Sequence, residues 1–234
     1  MKLENKRNIS KAKTFDEQVI NFYSNLYIDV PLPAGVEVLR PFDNPVSAEI
    51  AGQFYRKFYN DNNPRTFIIG INPGRFGGGI TGIPFTDPVK LIKHCGISND
   101  FEPKTELSAD FIYKVIEACG GAERFYSRNY FTSMSPLGFT RNGINMNYYD
   151  DKDLFLSLQP LMVNWLRDQL AFGGQRSRCI CLGSGKNLKY LQKLNQEYSF
   201  FEQIDVLDHP RYIMQYKRKQ LDEYIKLYKT ALSA

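Results

Sequence analysis

The densest group of residues able to do chemistry is Gly70-Ile71-Asn72-Pro73-Gly74-Arg75-Phe76-Gly77-Gly78-Gly79-Ile80-Thr81-Gly82-Ile83-Pro84-Phe85, directly after the apolar run at 66–69. Glycine and proline around a single amide let backbone approach a ligand closely. Asn72 is then able to orient a water or read a polar ring edge, although a glycine-rich loop that satisfies only its own backbone fits the same residues. The spacing excludes two nucleotide sites, because GxGxxG is absent and no GK[ST] closes the loop. A second glycine turn, Gly183-Ser184-Gly185-Lys186-Asn187, also fails as a P-loop, since Ile180 stands where the first glycine belongs and Asn187 replaces Ser/Thr. It reads as a helix start where Ser184, Lys186 and backbone N–H groups can meet a phosphate. Two further turns carry polar side chains: SMSPLG, beginning at Ser133, and Asp208-His209-Pro210-Arg211. His209 is read either as a catalytic group or as a capping or core histidine. His94 ends the segment PVKLIKHC, where an imidazole can meet terminal carbonyls, and is read as structural. Asp87 is read as the N-cap of that segment, with Pro88 at its first position, rather than as a catalytic carboxylate.

Metal and redox chemistry find few ligands. Cys95, Cys119, Cys179 and Cys181 are too scattered for a CxxC pattern and too few for a disulfide scaffold, and His94 and His209 are the only histidines. No metal or cofactor is expected, and a reducing cytoplasm suits the thiols. No run approaches the ~18 apolar residues of a membrane span, and the basic start MKLENKRNISKAK has no apolar stretch after it. The net charge of +5 is unevenly placed. Residues 209–234 set Arg211, Lys217, Arg218, Lys219, Lys226 and Lys229 against Asp222 and Glu223, and residues 1–13 are basic too, so the body between them is slightly acidic. Such asymmetry points to a polyanion partner, but charge alone is explained better by a solvated helix face and a flexible start over 1–13.

The elements that must position these residues can be read from periodicity. Four short apolar runs, 66–69, 129–132, 179–182 and 204–207, each end in one of the four turns and are predicted strands. Segments 15–26, 47–59, 108–119, 152–172, 187–194 and 212–232 space apolar residues three and four apart and are predicted helices. Strands alternating with helices predict one α/β domain over 1–234, a three-layer α/β/α sandwich around a central, mainly parallel four-stranded sheet. Ligands of such sheets bind beyond the carboxyl ends of the strands, where all four turns fall.

GINPGRFGGGITGIPF resembles, over sixteen ungapped positions, the first motif of the single-strand-selective monofunctional uracil-DNA glycosylases, a family within the uracil-DNA glycosylase superfamily. SMSPLG and Asp208-His209-Pro210-Arg211 are similar to its two later motifs, and the likeness runs in outline over about residues 65–220. The resemblance implies that Asn72 holds the attacking water and that His209 donates to uracil O2. It further implies that Phe85 stacks on the extruded base, with Ile71, Gly74, Gly78 and Ser133 completing the base pocket. Three positions depart from the family pattern. Ser133 stands where the family reads the uracil edge with asparagine, Gly78 stands where a methionine is usual, and Arg211 follows Pro210 directly. A wider pocket and looser base selectivity are expected.

An enzyme that flips a base from DNA needs a group to hold the gap open. Arg211, Tyr212, Ile213 and Met214, followed by Lys217, Arg218 and Lys219, combine candidate wedge residues with phosphate-neutralising charge, though an ordinary amphipathic helix has the same composition. The expected activity is hydrolysis of the N-glycosidic bond of uracil in DNA, and also of xanthine or hypoxanthine, during base-excision repair, by a monomer that binds DNA. Two alternatives are a nucleic-acid-binding module without turnover and a small-molecule nucleoside hydrolase.

Overall fold

The computed structural model describes residues 14–233, so the basic segment 1–13 lies outside the described residues. All four predicted strands form, as β2 (Thr66–Gly70), β3 (Asn129–Ser133), β6 (Arg178–Leu182) and β7 (Gln203–Leu207). They pair in parallel in the order β3-β2-β6-β7. The first three in that order are buried nearly throughout, which is why they read as continuous apolar runs. Edge strand β7 instead exposes Val206 and pairs Asp205 with Arg178 at 2.6 Å, charge that discourages further strand addition.

Adjacent β3 residues show the two faces. Tyr130 packs on Phe15 of α1 (Phe15–Ser24), Tyr59 of α2 (Pro45–Tyr59) and Phe172. Tyr130 and Thr132 both donate to Gln169 of α7 (Lys152–Leu170), at 3.2 and 2.5 Å. On the opposite face Phe131 packs on Phe85 and on Phe125 of α6 (Ala122–Tyr126). Two more helices, α5 (Leu107–Ala118) and α10 (Leu221–Leu232), are joined by Phe111 and Tyr228. Nothing local marks Arg65 as fully buried, yet it is, and its guanidinium chelates Asp61 and lies over Phe15 and Tyr59. Asp87 caps α4 (Pro88–Cys95) as expected, accepting from Lys90 N at 2.9 Å. His94 is structural, but its Nδ1 meets Glu117 Oε1 at 3.0 Å rather than helix carbonyls.

Two differences from the sequence reading matter for the site. A second, antiparallel sheet of β1 (Val36–Leu39), β4 (Gly138–Arg141) and β5 (Ile144–Met146) lies beside the first. Its β4–β5 turn is Asn142-Gly143, both at positive φ (52° and 71°), the geometry of a two-residue type I′ hairpin. The predicted helix over 212–232 is also broken, into α9 (Pro210–Tyr216), a 3-10 turn at Arg218–Gln220, and α10. The reason lies in Tyr224 and Tyr228, whose hydroxyls both donate to Asp208, to its carboxylate and its carbonyl respectively. An unbroken helix rising 1.5 Å per residue would carry these residues roughly 24 and 30 Å from Asp208. Lys217, Arg218 and Lys219 therefore occupy the break, not the face of a continuous helix.

Candidate active site

After β2 the chain forms β3 on one side and then crosses to β6 on the other. The β2/β6 boundary is thus a switch point, where crevices open in parallel sheets. Asn72 stands two residues beyond β2 at this point. Its amide is held at both ends. Nδ2 donates to Met146 O (3.0 Å) and Pro73 O (3.3 Å), while Oδ1 accepts from Tyr148 N (3.0 Å). Both amide protons are used and one lone pair remains on Oδ1, so toward a ligand Asn72 is an acceptor only.

The hairpin missed by the sequence reading supplies this clamp. It docks on the glycine loop through Arg75, whose N–H donates to Asn145 Oδ1 at 3.1 Å and whose guanidinium donates to Gly143 O. A Cβ on Gly138 would overlap Pro73 O, so only glycine permits the approach. The Asn-Gly pair flanked by FTR and INM was the signal that could have found it. A further connection closes the ring, because Tyr148 OH donates to Asn187 Oδ1 (3.0 Å) and Asn187 Nδ2 donates to Gly70 O (3.2 Å) and Leu182 O (3.3 Å). Asn187, where a P-loop has Ser/Thr, is therefore a buried strut between strand ends. Tyr148→Phe removes only the hydroxyl and is expected to lower the single-turnover rate about tenfold through misplacement of Asn72, with DNA affinity nearly kept. A fluorescence-anisotropy titration beside the rate measurement checks the split.

His209 is the N-cap of α9, and its Nδ1 accepts from Arg211 N at 3.2 Å. That bond places the proton of the neutral ring on Nε2. Burial, with Arg211 adding to it, pushes the His209 pKa down to about 4, so at neutral pH the group is an uncharged N–H donor. Phe85 lies next to it, ring centroids 6.1 Å apart, and has φ +54°. A left-handed phenylalanine is strained, and the turn is held by Thr81, whose hydroxyl accepts from Ile83 N (3.2 Å) and donates to Thr86 O (2.7 Å). At Gly70 an added Cβ would sit 3.1 Å from the Phe85 ring and 3.4 Å from Ser133 Oγ, which puts these two side chains together at the end of β2. The Ser133 side chain is buried, and its hydroxyl makes no hydrogen bond among the described residues. Ile71 contributes backbone, its carbonyl accepting from Ser135 N at 3.1 Å.

The two loop glycines differ. Gly78 opens the one-turn helix α3 (Gly78–Thr81); it is buried and its missing side chain points at Ile83 O and Pro73, the inside of its own loop. Gly74 instead faces Glu106 Oε1, 3.1 Å from its would-be Cβ, and Asn145 Nδ2 at 3.6 Å. Glu106 was not legible in the sequence as a site residue. Its backbone N–H is fixed by Asp87 Oδ2 at 3.0 Å, and burial, with Asp87 repelling it, pushes its carboxyl up to about 7.

Around this cleft, Gly183 N donates to Leu207 O at 2.7 Å, which sets the Ser184–Lys186 turn against the His209 turn. Ser184 and Lys186 are exposed at the start of α8 (Lys186–Tyr198). Arg211, Tyr212, Arg218 and Lys219 are exposed and Lys217 half-buried, with the Tyr212 and Tyr216 rings 5.4 Å apart on the surface. Ile213 and Met214 are buried under α9, which removes them as wedge candidates; α9 turns its apolar side to α5. No helix among the described residues is long and apolar enough to cross a membrane.

A parallel sheet whose strand ends bring an oriented amide and a neutral imidazole donor to a strained aromatic has the build of a glycosidic-bond hydrolase. The family comparison agrees: the model of the uracil DNA glycosylase superfamily matches residues 56–232, and the chain belongs to that superfamily. It is a DNA glycosylase, a hydrolase of N-glycosidic bonds with a uracil DNA glycosylase role. Among solved structures it is similar to SMUG2 of Pedobacter heparinus, with 46% identity over 93% of this chain and 96% of that one and a TM-score of 0.90. No curated protein matches the chain.

Proposed function

We propose that the chain is a monomeric, cytoplasmic, monofunctional glycosylase that removes uracil and also deaminated purines from DNA in base-excision repair, working as one domain. The convergence of Phe85, Ser133 and His209 beyond the carboxyl ends of the strands carries this reading. A flipped base stacked on Phe85 presents O2 to His209 Nε2–H, which strengthens its bond as the leaving base becomes anionic. The free lone pair of Asn72 Oδ1 accepts a proton of the water that attacks C1′. An amide is too weak a base to take that proton fully, so the water adds to a sugar already close to an oxocarbenium ion. Arg211, Tyr212, Lys217, Arg218 and Lys219 on one side, with Ser184 and Lys186 on the other, receive the phosphates and flanking bases.

Ser133 supports the wider base range. An asparagine amide offers donor and acceptor in fixed positions, whereas a small unpartnered hydroxyl rotates to do either. Hypoxanthine and xanthine present a keto oxygen beside a ring N–H, as uracil does at O4 and N3. Wild type is expected to release uracil and at least one of these purines from matched oligonucleotides. Ser133→Asn is expected to shift the ratio toward uracil about tenfold, the scale of one well-placed hydrogen bond. Strict uracil specificity, or an unchanged ratio in the variant, defeats the purine reading. Free deoxyuridine in the same assay separates the other classes: release from it alone marks a nucleoside hydrolase, and release from neither marks a binding module.

A further inference from the structure

Glu106 is a half-buried carboxyl beside the glycine loop that the mechanism above leaves unused. It precedes α5 without capping it, and neither carboxylate oxygen has a hydrogen bond among the described residues. Both oxygens lie on the glycine loop: Oε1 beside Gly74, while Oε2 occupies the space a Cβ on Gly77 would take. The charged groups facing it are Asp87 ahead of α4, Asp110 on α5 and Arg211 on α9. Lys90 of α4 engages both aspartates, at 3.6 and 2.6 Å, so Arg211 is the cation left to Glu106.

A pyrimidine placed with O2 at His209 and its N3/O4 edge at Ser133 would turn its C5–C6 edge to the rest of the glycine loop, the Gly74–Gly77 turn against which Glu106 lies. In a purine attached through N9 to the same sugar position, N7 comes to where a pyrimidine has C5. Uracil has a carbon there and nothing to protonate. A purine leaves far more readily once N7 carries a proton, because the ring then departs neutral.

We propose that Glu106 is the general acid that protonates N7 of deaminated purines in this cleft, a step that uracil release does not use. The proposal rests on the purine reading of the site. The carboxylic O–H of Glu106 gives its proton to N7, and the C1′–N9 bond breaks with its electron pair entering the imidazole ring. Water then adds to C1′ and loses a proton to solvent, and solvent returns one to the Glu106 carboxylate, so the net reaction is hydrolysis. A carboxyl raised to about 7 is half protonated at neutral pH, the condition under which a general acid works best.

The test compares single-turnover release of uracil, hypoxanthine and 7-deazahypoxanthine from otherwise identical oligonucleotides, by wild type and Glu106→Gln, from about pH 5.5 to 8.5. In wild type the hypoxanthine-to-uracil ratio is expected to rise as pH falls through about 7. Glu106→Gln is expected to lower the ratio by roughly tenfold or more at pH 6.5 and to flatten its pH dependence. The 7-deaza base, with carbon at position 7, is expected to respond to the substitution no more than uracil does. Equal losses on uracil and hypoxanthine would reveal a structural role, and a pH-independent ratio in wild type would also overturn the proposal. Absence of any purine release by wild type overturns the base reading as well, and this outcome is distinct from purine release that ignores Glu106. Uracil release by the variant reports that its site is folded.

Discussion

Asn72→Ala is expected to lower single-turnover uracil release by about two orders of magnitude or more while DNA binding stays close to wild type. Every described partner of the amide is a backbone group of the protein, and none is a basic side chain that would meet a phosphate. Its donors are spent on Met146 O and Pro73 O, and its oxygen keeps one position for a water. The substitution removes that position and also leaves Tyr148 N and Met146 O unpaired beneath the loop, so the hairpin loosens together with the water site. Asn72→Asp separates these effects, since it keeps an oxygen for the water yet sets a carboxylate against two carbonyls. It is expected to fall between wild type and alanine at low pH, where protonation of the introduced carboxyl restores one donor. A wild-type rate in Asn72→Ala would remove the residue from the mechanism.

Loss of similar size, about two orders of magnitude in the chemical step, is expected for His209→Ala, with ground-state affinity less affected because the donor strengthens only as charge develops on the base. The protonation state gives an independent check. With its pKa depressed to about 4, His209 stays a neutral donor across neutral pH, and uracil release should show no inflection near the ordinary histidine value of about 6.5. Stability follows the same shift. The unfolded ring takes up a proton near 6.5 that the folded one refuses until about 4, so the contribution of His209 is complete above ~6.5 and is lost as pH falls toward 4. Denaturant unfolding of wild type and His209→Ala across this range should show a shallower acid decline in the variant. A rate inflection near 6.5 that disappears in His209→Ala would contradict the neutral-donor assignment.

Local composition was enough to read the four parallel strands, because β2, β3 and β6 are buried on both faces and so run apolar, and each of the four runs, the exposed edge strand β7 included, stops at glycine, serine or aspartate. It was also enough to read the Asp87 cap, since capping is a contact within four residues. The helix over 212–232 was misjudged because its break is dictated from outside the segment, by Tyr224 and Tyr228 returning to Asp208. The hairpin was half legible in Asn142-Gly143, but its role was not, since nothing local says that a turn some seventy residues along the chain closes on Asn72.

The sequence by itself thus determined which residue types stand at the strand ends: one amide, one imidazole, one aromatic and one hydroxyl, each in a turn whose chemistry is written in its neighbours. Tertiary structure alone decided what state those groups are in. The orientation of the Asn72 amide comes from the hairpin backbone, and the neutral Nε2–H form of His209 comes from burial and from the Arg211 N–H. Glu106 faces the glycine loop because α4 and α5 fold together through Asp87. The physical reason is the same in each case. A side chain's identity is local, while its hydrogen-bond partners and its desolvation depend on segments distant in sequence that only folding brings within about 3 Å.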